Sequence, residues 1–145
     1  MINRNEMRQF IYEKIVEIGR APSIEETSAK FDISKQQAQL SYKKLADDHI
    51  LVLEKDRQIR MALPFSNIKT QYKIVSGDRF WWASCAWDAL GIAALTGLDS
   101  RLEATCPDCG DPIKIRVENG KLSGDSSVVH FVVPAANWWD DIIYT

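Results

Sequence analysis

Two groupings of thiols carry the chemistry open to this chain of 145 residues. The first is Cys85 with Asp88, inside the run FWWASCAWDALGIAALTG. Residues three apart on a helix share a face, with Cβ atoms about 5–6 Å from one another, so thiol and carboxylate can serve one site. A carboxylate raises the pKa of a neighbouring thiol, so the pair is poorly suited to nucleophilic attack on carbon. It suits a soft metal centre that displaces the thiol proton on binding, with Asp88 taking that proton and passing it on. The ordinary alternative is a small cysteine packed in a core and an aspartate that is exposed or hydrogen-bonded. The second grouping is Cys106-Pro-Asp-Cys109-Gly110, where a glycine-assisted turn can aim two sulfurs at one ion. It reads equally as a tight turn with two thiols. A closed zinc site needs about four ligands, and only Cys85, His49 and His130 remain as further soft candidates. A thioredoxin-like role fits poorly, because Pro112 and Ile113 continue as strand where that motif would open a helix. His130 lies in the apolar run VVHFVV and reads as a packed strand histidine, while His49 ends a helix and complements its dipole.

The elements that must position these residues follow from periodicity and caps. Phe10, Ile11, Ile15 and Ile18 recur at helical spacing over residues 6–19, and Gly19 stops the helix. Ser23 with Glu26 makes a capping box for a short helix to Phe31. Ser34 repeats the device for a third helix carrying Ala38, Tyr42 and Leu45 and ending near Asp47. Ile50 to Leu53 and Ile59 to Leu63 form a hairpin, so the fold expected for residues 1–64 is a winged helix. Pro64, Ser66 and Asn67 mark a boundary to a second unit, residues 65–145. A strand over Thr70–Val75 leads there to a Ser76-Gly77 turn, and Asp78 caps a Trp-rich core helix closed by Gly97. Cys85 then sits about two turns inside that helix, beyond the reach of its dipole. The helix is nearly long enough to span a bilayer, but Asp88 at its middle costs roughly 2.5–3.5 kcal/mol there, so it belongs in a protein core. Strands over Leu102–Thr105, Ile113–Val117 and Val128–Val133, with a turn at Asn119-Gly120, complete a small α+β domain with an antiparallel or mixed sheet. The chain closes on NWWDDIIYT, an apolar, β-prone run without a polar tail, read as a docked strand or a cut chain.

Composition narrows the function. Hydrophobic residues at 46% and charged residues at 26% are ordinary for a globular protein and exclude a disordered or fibrous class. The net charge is -2 and the pI near 5.7, with eleven basic against ten acidic residues in 1–64 and seven against ten in 65–145. That balance is weak for DNA binding, although the third helix would offer Lys35, Gln36, Gln37, Gln39 and Lys43 to a groove. The N-terminus lacks the order of a secretory signal, so a cytoplasmic protein with reduced thiols and no membrane association is expected. All five tryptophans and all three cysteines fall in the second half, where chemistry is expected.

The stretch FWWASCAWDALGIAALTG, followed by RLEATCPDCGDPI and VVHFVVPAANWWDDIIYT, resembles the alkylmercury lyase (organomercurial lyase) family. The similarity runs from about residue 72 to the end, and the family also has a winged-helix-like N-terminal domain. Its most specific element is Cys-x-x-Asp in a Trp-rich apolar helix. The resemblance implies that Cys85 captures the organomercurial and binds Hg(II), and that Asp88 delivers a proton to the carbon leaving group. The implied reaction is protonolysis of a carbon–mercury bond in mercury detoxification, giving hydrocarbon and thiolate-bound Hg(II). No cofactor is implied; Hg(II) is the bound product, and external thiols or a mercury reductase accept it. Trp81, Trp82 and Trp87 would line a pocket for an apolar alkyl or aryl group, with ordinary core packing as the competing duty. Cys106 matches a family cysteine regarded as structural, and Cys106 and Cys109 remain candidate metal ligands. The family completes its site with a second cysteine shortly after the segment that WWDDIIYT resembles. The natural chain is therefore expected to continue past Thr145, with a cysteine almost at once. Two other readings stand beside this one: a winged-helix regulator or soft-metal sensor using the cysteines, and a non-catalytic mercury-binding relative.

Overall fold

The computed structural model describes residues 2–124, 126 and 128–144. The first third is helical: α1 (Arg4–Ile18), α2 (Ile24–Phe31) and α3 (Lys35–Asp47). Each begins at a side-chain cap, because the first amides of a helix have no intrahelical acceptor. Asn3 caps α1, and Ser23 and Ser34 form full capping boxes with Glu26 and Gln37. Gly19 closes α1 in the left-handed region at φ 78, donating its amide to the Ile15 carbonyl. Met7, Phe10, Ile11 and Ile15 form the buried stripe of α1, and Ala38, Tyr42 and Leu45 that of α3. Ile18, expected on the buried face, is exposed, because Gly19 ends the helix before another turn can cover it. Tyr42, fully buried, donates to the Pro22 carbonyl at 3.1 Å and pairs with the Thr27 hydroxyl.

Eight strands follow: β1 (Leu51–Leu53), β2 (Ile59–Ala62), β3 (Phe65–Ser66), β4 (Tyr72–Ser76), β5 (Arg79–Ala83), β6 (Ser100–Thr105), β7 (Pro112–Glu118) and β8 (Lys121–Gly124). They form one antiparallel sheet in the order β1-β2-β3-β5-β4-β6-β7-β8. A mixed α+β architecture with an antiparallel sheet is thus present. The β1–β2 hairpin and the later strands share that sheet, joined through β3, which the sequence reading passed over as a linker. One helix, α4 (Ala86–Thr96), interrupts the strands and packs on β3, β4, β5 and β6. One core joins Ile11 and Ile15 of α1, Phe65, Ile74 and Trp81 of the sheet, and Ala89 and Ile92 of α4.

Two expectations are corrected. The helix read from Asp78 to Gly97 begins only at Ala86; Phe80 to Ala83 are strand β5, so no Trp-rich core helix forms. Ser76 pairs with Arg79 across a two-residue Gly77-Asp78 loop, with Gly77 at φ 57. Such a loop, with glycine first, matches the twist of a hairpin, and β-prone aromatics alternating across the sheet extend it. The strand expected over Val128–Val133 does not form: these residues lie outside the sheet, whose edge is taken by β8. His130 is accordingly exposed rather than packed in a strand. The closing run is not a docked strand either; Ala135–Asp140 is a 3-10 helix, and Thr145 lies outside the described residues. The turn at Asn119-Gly120 is present, with both residues at positive φ, and joins β7 to β8.

Candidate active site at the start of helix α4

The chain leaves β5 at Ala83, bends through Ser84, and enters α4 with Cys85 as the N-cap. Cys85 therefore lies at the helix entrance and not two turns inside it. The Cys85 sulfur accepts the Asp88 amide at 3.5 Å and also receives the Trp87 amide. This is the position of a Ser or Asp cap, filled here by a thiol. Asp88, in the first turn, places its carboxyl where the Cys85 thiol donates to it. The expected three-residue spacing does bring thiol and carboxylate together, through cap geometry rather than through a shared helix face.

Burial raises the proton affinity of both groups. Burial pushes the Asp88 carboxyl up to about 6, against the pull of the Cys85 hydrogen bond, which favours the charged form. Burial likewise raises the Cys85 thiol; the amides of Asp88 and Trp87 work against that rise, and the Asp88 charge adds to it. At neutral pH the thiol keeps its proton beside a carboxyl whose affinity for a proton is poised within about one unit of solution pH.

The helix carrying the pair is held from below. A Cβ on Gly91 would lie 3.4 Å from the Pro64 side chain, so α4 rests on the Leu63–Pro64 segment. Tyr12 of α1 donates its hydroxyl to the Leu63 carbonyl at 2.7 Å and is close enough to Asp88 to feel its charge. Burial raises the Tyr12 pKa first, with Arg8 lowering it and Asp88 raising it. A groove of about 710 Å³ runs past Tyr12, lined by Arg8, Val16, Arg79 and Leu95 among others. The sequence reading missed Tyr12, because nothing local at residue 12 announces a neighbour at residue 88.

The three tryptophans expected around a pocket are parted. Trp81 is 1% exposed and donates its indole N–H to the Ile15 carbonyl at 2.8 Å, tying β5 to the end of α1. Trp82, next along the strand, faces the opposite side of the sheet, where it meets Phe80 edge-on with Lys73 above both rings. Trp87 is adjacent to the pair and 58% exposed, at one end of an aromatic chain running through Phe131 to Trp138. Phe131, expected within a strand, instead meets the Trp87 ring edge-on. Trp139 stacks on His49 with ring centroids 4.1 Å apart, so the last residues reach back to the end of α3. Cys106 and Cys109 occupy the β6–β7 turn, away from α4 in the chain. Among the described residues, no group of three or more His, Cys, Asp or Glu is gathered that could hold a metal ion. No helix among them is long and apolar enough to cross a membrane.

No curated protein sequence matches the chain. The crystal structure of the mercury-bound form of MerB2 shares the fold with a TM-score of 0.65 and 28% identity, covering 83% of this chain and 60% of that one. The chain thus spans about three fifths of the length of that relative. The family model MerB, alkylmercury lyase, matches residues 65–145, more than half of the chain and the whole of the β5–α4 elbow that carries Cys85 and Asp88. On that match the chain belongs to the alkylmercury lyase family.

Proposed function

We propose that this protein cleaves carbon–mercury bonds by protonolysis, with Cys85 as the mercury-capturing thiol and Asp88 as the proton shuttle. The observation that carries the reading is the Cys85 thiol donating to an Asp88 carboxyl whose pKa burial has pushed up to about 6. Family membership supports the reaction class.

Capture begins as the Cys85 sulfur bonds to mercury and displaces the ligand opposite carbon; the thiol proton moves to Asp88. The soft sulfur donates density to mercury and weakens its bond to carbon. The proton on Asp88 then passes to the departing carbon. The Hg–C bond breaks, a C–H bond forms, Asp88 returns to carboxylate, and Hg(II) stays on the Cys85 sulfur until a small thiol completes its coordination and removes it. No electrons are exchanged. A carboxyl near 6 suits both halves, because it accepts the proton from the thiol at neutral pH and is acidic enough to return it. Trp87, two residues from Cys85, meets Phe131 edge-on, and these rings are the apolar surface that would receive the organic group. In this reading residues 1–64 are a winged-helix-like scaffold, and residues 65–145 carry the chemistry.

The test is hydrocarbon release from an aryl- or alkylmercury compound incubated with reduced protein and excess small thiol. Turnover is expected, and Cys85→Ser and Asp88→Ala should each abolish it while circular dichroism stays unchanged. No hydrocarbon from the folded, reduced protein would overturn the proposal.

A further inference from the structure

The β6–β7 turn holds a second arrangement of sulfur that the reaction above does not use. Cys106 leaves β6 half-buried and Cys109 is exposed, both as free thiols. The turn between them is closed twice: the Gly110 amide donates to the Cys106 carbonyl at 2.9 Å, and the Cys106 amide to the Asp111 carbonyl at 2.9 Å. Gly110 takes φ 78, a conformation that lets the chain double back so tightly. Within this knuckle the amides of Asp108 and Cys109 and the thiol of Cys109 all lie within hydrogen-bonding reach of the Cys106 sulfur. Asp108 and Asp111 flank the pair with negative charge.

We infer that Cys106 and Cys109 form a second site, separate from Cys85, that chelates a two-coordinate thiophilic cation such as Hg(II) or Ag(I). The ligand count selects that class. A tetrahedral zinc site needs about four donors, and among the described residues no third His, Cys, Asp or Glu joins the pair. Two soft thiolates satisfy a linear d¹⁰ ion. On binding Hg(II), two S–H bonds break, two S–Hg bonds form and two protons go to solvent, with no change of oxidation state.

The sheet register places this pair close to the first. Tyr72 of β4 pairs with Ala83 of β5, and its neighbour Lys73 pairs with Glu103 of β6, so Ala83 and Ala104 stand level across β4. Cys85 and Cys106 each follow two residues later, at the same end of the sheet. Two inter-strand spacings, about 10 Å, separate the strands that lead to them.

The site is tested with inorganic Hg(II) and, separately, Ag(I), so its outcome does not depend on lyase activity. Phosphine-reduced Cys85→Ser protein, freed of reductant, is loaded with one equivalent of metal and titrated with a small monothiol, and bound metal is read by native mass spectrometry. Cys85→Ser should hold one ion. Cys85→Ser/Cys109→Ser, which keeps the backbone hydrogen bonds of the turn, should release it at a monothiol concentration at least about a hundredfold lower, because a chelating pair gains from effective concentration. Alkylation with peptide mapping should show Cys106 and Cys109 protected together in the loaded Cys85→Ser protein. Equal retention by the two variants, or free Cys106 and Cys109 in the loaded protein, would overturn the inference.

Discussion

Replacing Asp88 by Asn should make the protein more stable at pH 8 and leave it nearly unchanged at pH 4. The carboxyl has an ordinary value of 3.8, which the unfolded chain restores, and burial raises it to about 6 in the folded protein. The folded protein therefore binds this proton more tightly than the unfolded chain does. Stability contributed by the protonated group is complete below about pH 4 and is lost as pH rises to about 6, after which the penalty is constant. A gap of about 2 units at 1.36 kcal/mol per unit sets a ceiling of about 3 kcal/mol. The carboxyl keeps some contact with solvent, so about 1.5–2 kcal/mol is the figure to expect between pH 4 and pH 8. Asn keeps the shape of Asp and an oxygen for the Cys85 thiol, but it cannot ionise. Urea unfolding followed by tryptophan fluorescence at several pH values gives the difference between variant and wild type. That subtraction removes the opposite trend of carboxylates such as Glu26 and Glu103, whose partners Arg20 and Arg101 hold them below the ordinary range. A difference between variant and wild type that is flat with pH, or a variant less stable than wild type at pH 8, would refute the claim that a strained carboxylate sits beside Cys85.

Other consequences are more local. Trp81→Phe should cost about 2–3 kcal/mol, because it leaves a gap in the core and removes the donor to the Ile15 carbonyl, whereas exposed Trp87→Phe should stay within about 0.5 kcal/mol; chemical denaturation of the two variants compares them. Gly19→Ala should lose about 1–2 kcal/mol, since φ is 78 and the new Cβ would lie 3.1 Å from the Phe80 carbonyl oxygen, with Gly77→Ala, which meets nothing within 4 Å, as the strain-only control. Iodoacetamide at neutral pH should label Cys106 before Cys85, as peptide mapping over time would show, because backbone amides lower the first thiol while burial raises the second.

What the sequence made legible was local. Ser23 with Glu26, Ser34 with Gln37, and Gly19 satisfy helix ends within a few residues, and all three act where they were read. The error at residues 78–85 has a physical source: Asp78 can cap a helix, while Gly77-Asp78 between Val75 and Phe80 can also turn a hairpin. The choice is made by distant partners, since β5 completes its hydrogen bonds on β4 and β3 and buries Trp81 against α1. Val128 to Val133 show the converse: strand-like composition by itself does not make a strand, and these residues stay outside the sheet, which ends at β8. At the candidate site, the Cys85–Asp88 spacing was legible and its electrostatics were not. Raising a carboxyl requires burial, and that burial comes from the packing of α4 in the folded chain.

The strand-to-helix elbow changes what the cysteine can do. A thiol in mid-helix faces amides already bonded to carbonyls four residues back, so nothing in the backbone answers a charge on sulfur. At the N-cap, the amides of Trp87 and Asp88 point at the sulfur and have no helical acceptor of their own. Burial keeps that thiol protonated while the site is empty. In the proposed reaction the balance shifts when a soft cation neutralises the sulfur: the burial penalty on the thiolate falls, its proton becomes the one to leave, and the carboxyl receiving it is three residues along the same turn. Capture and proton transfer are then coupled by one turn of helix, and the coupling requires the helix to begin at Cys85.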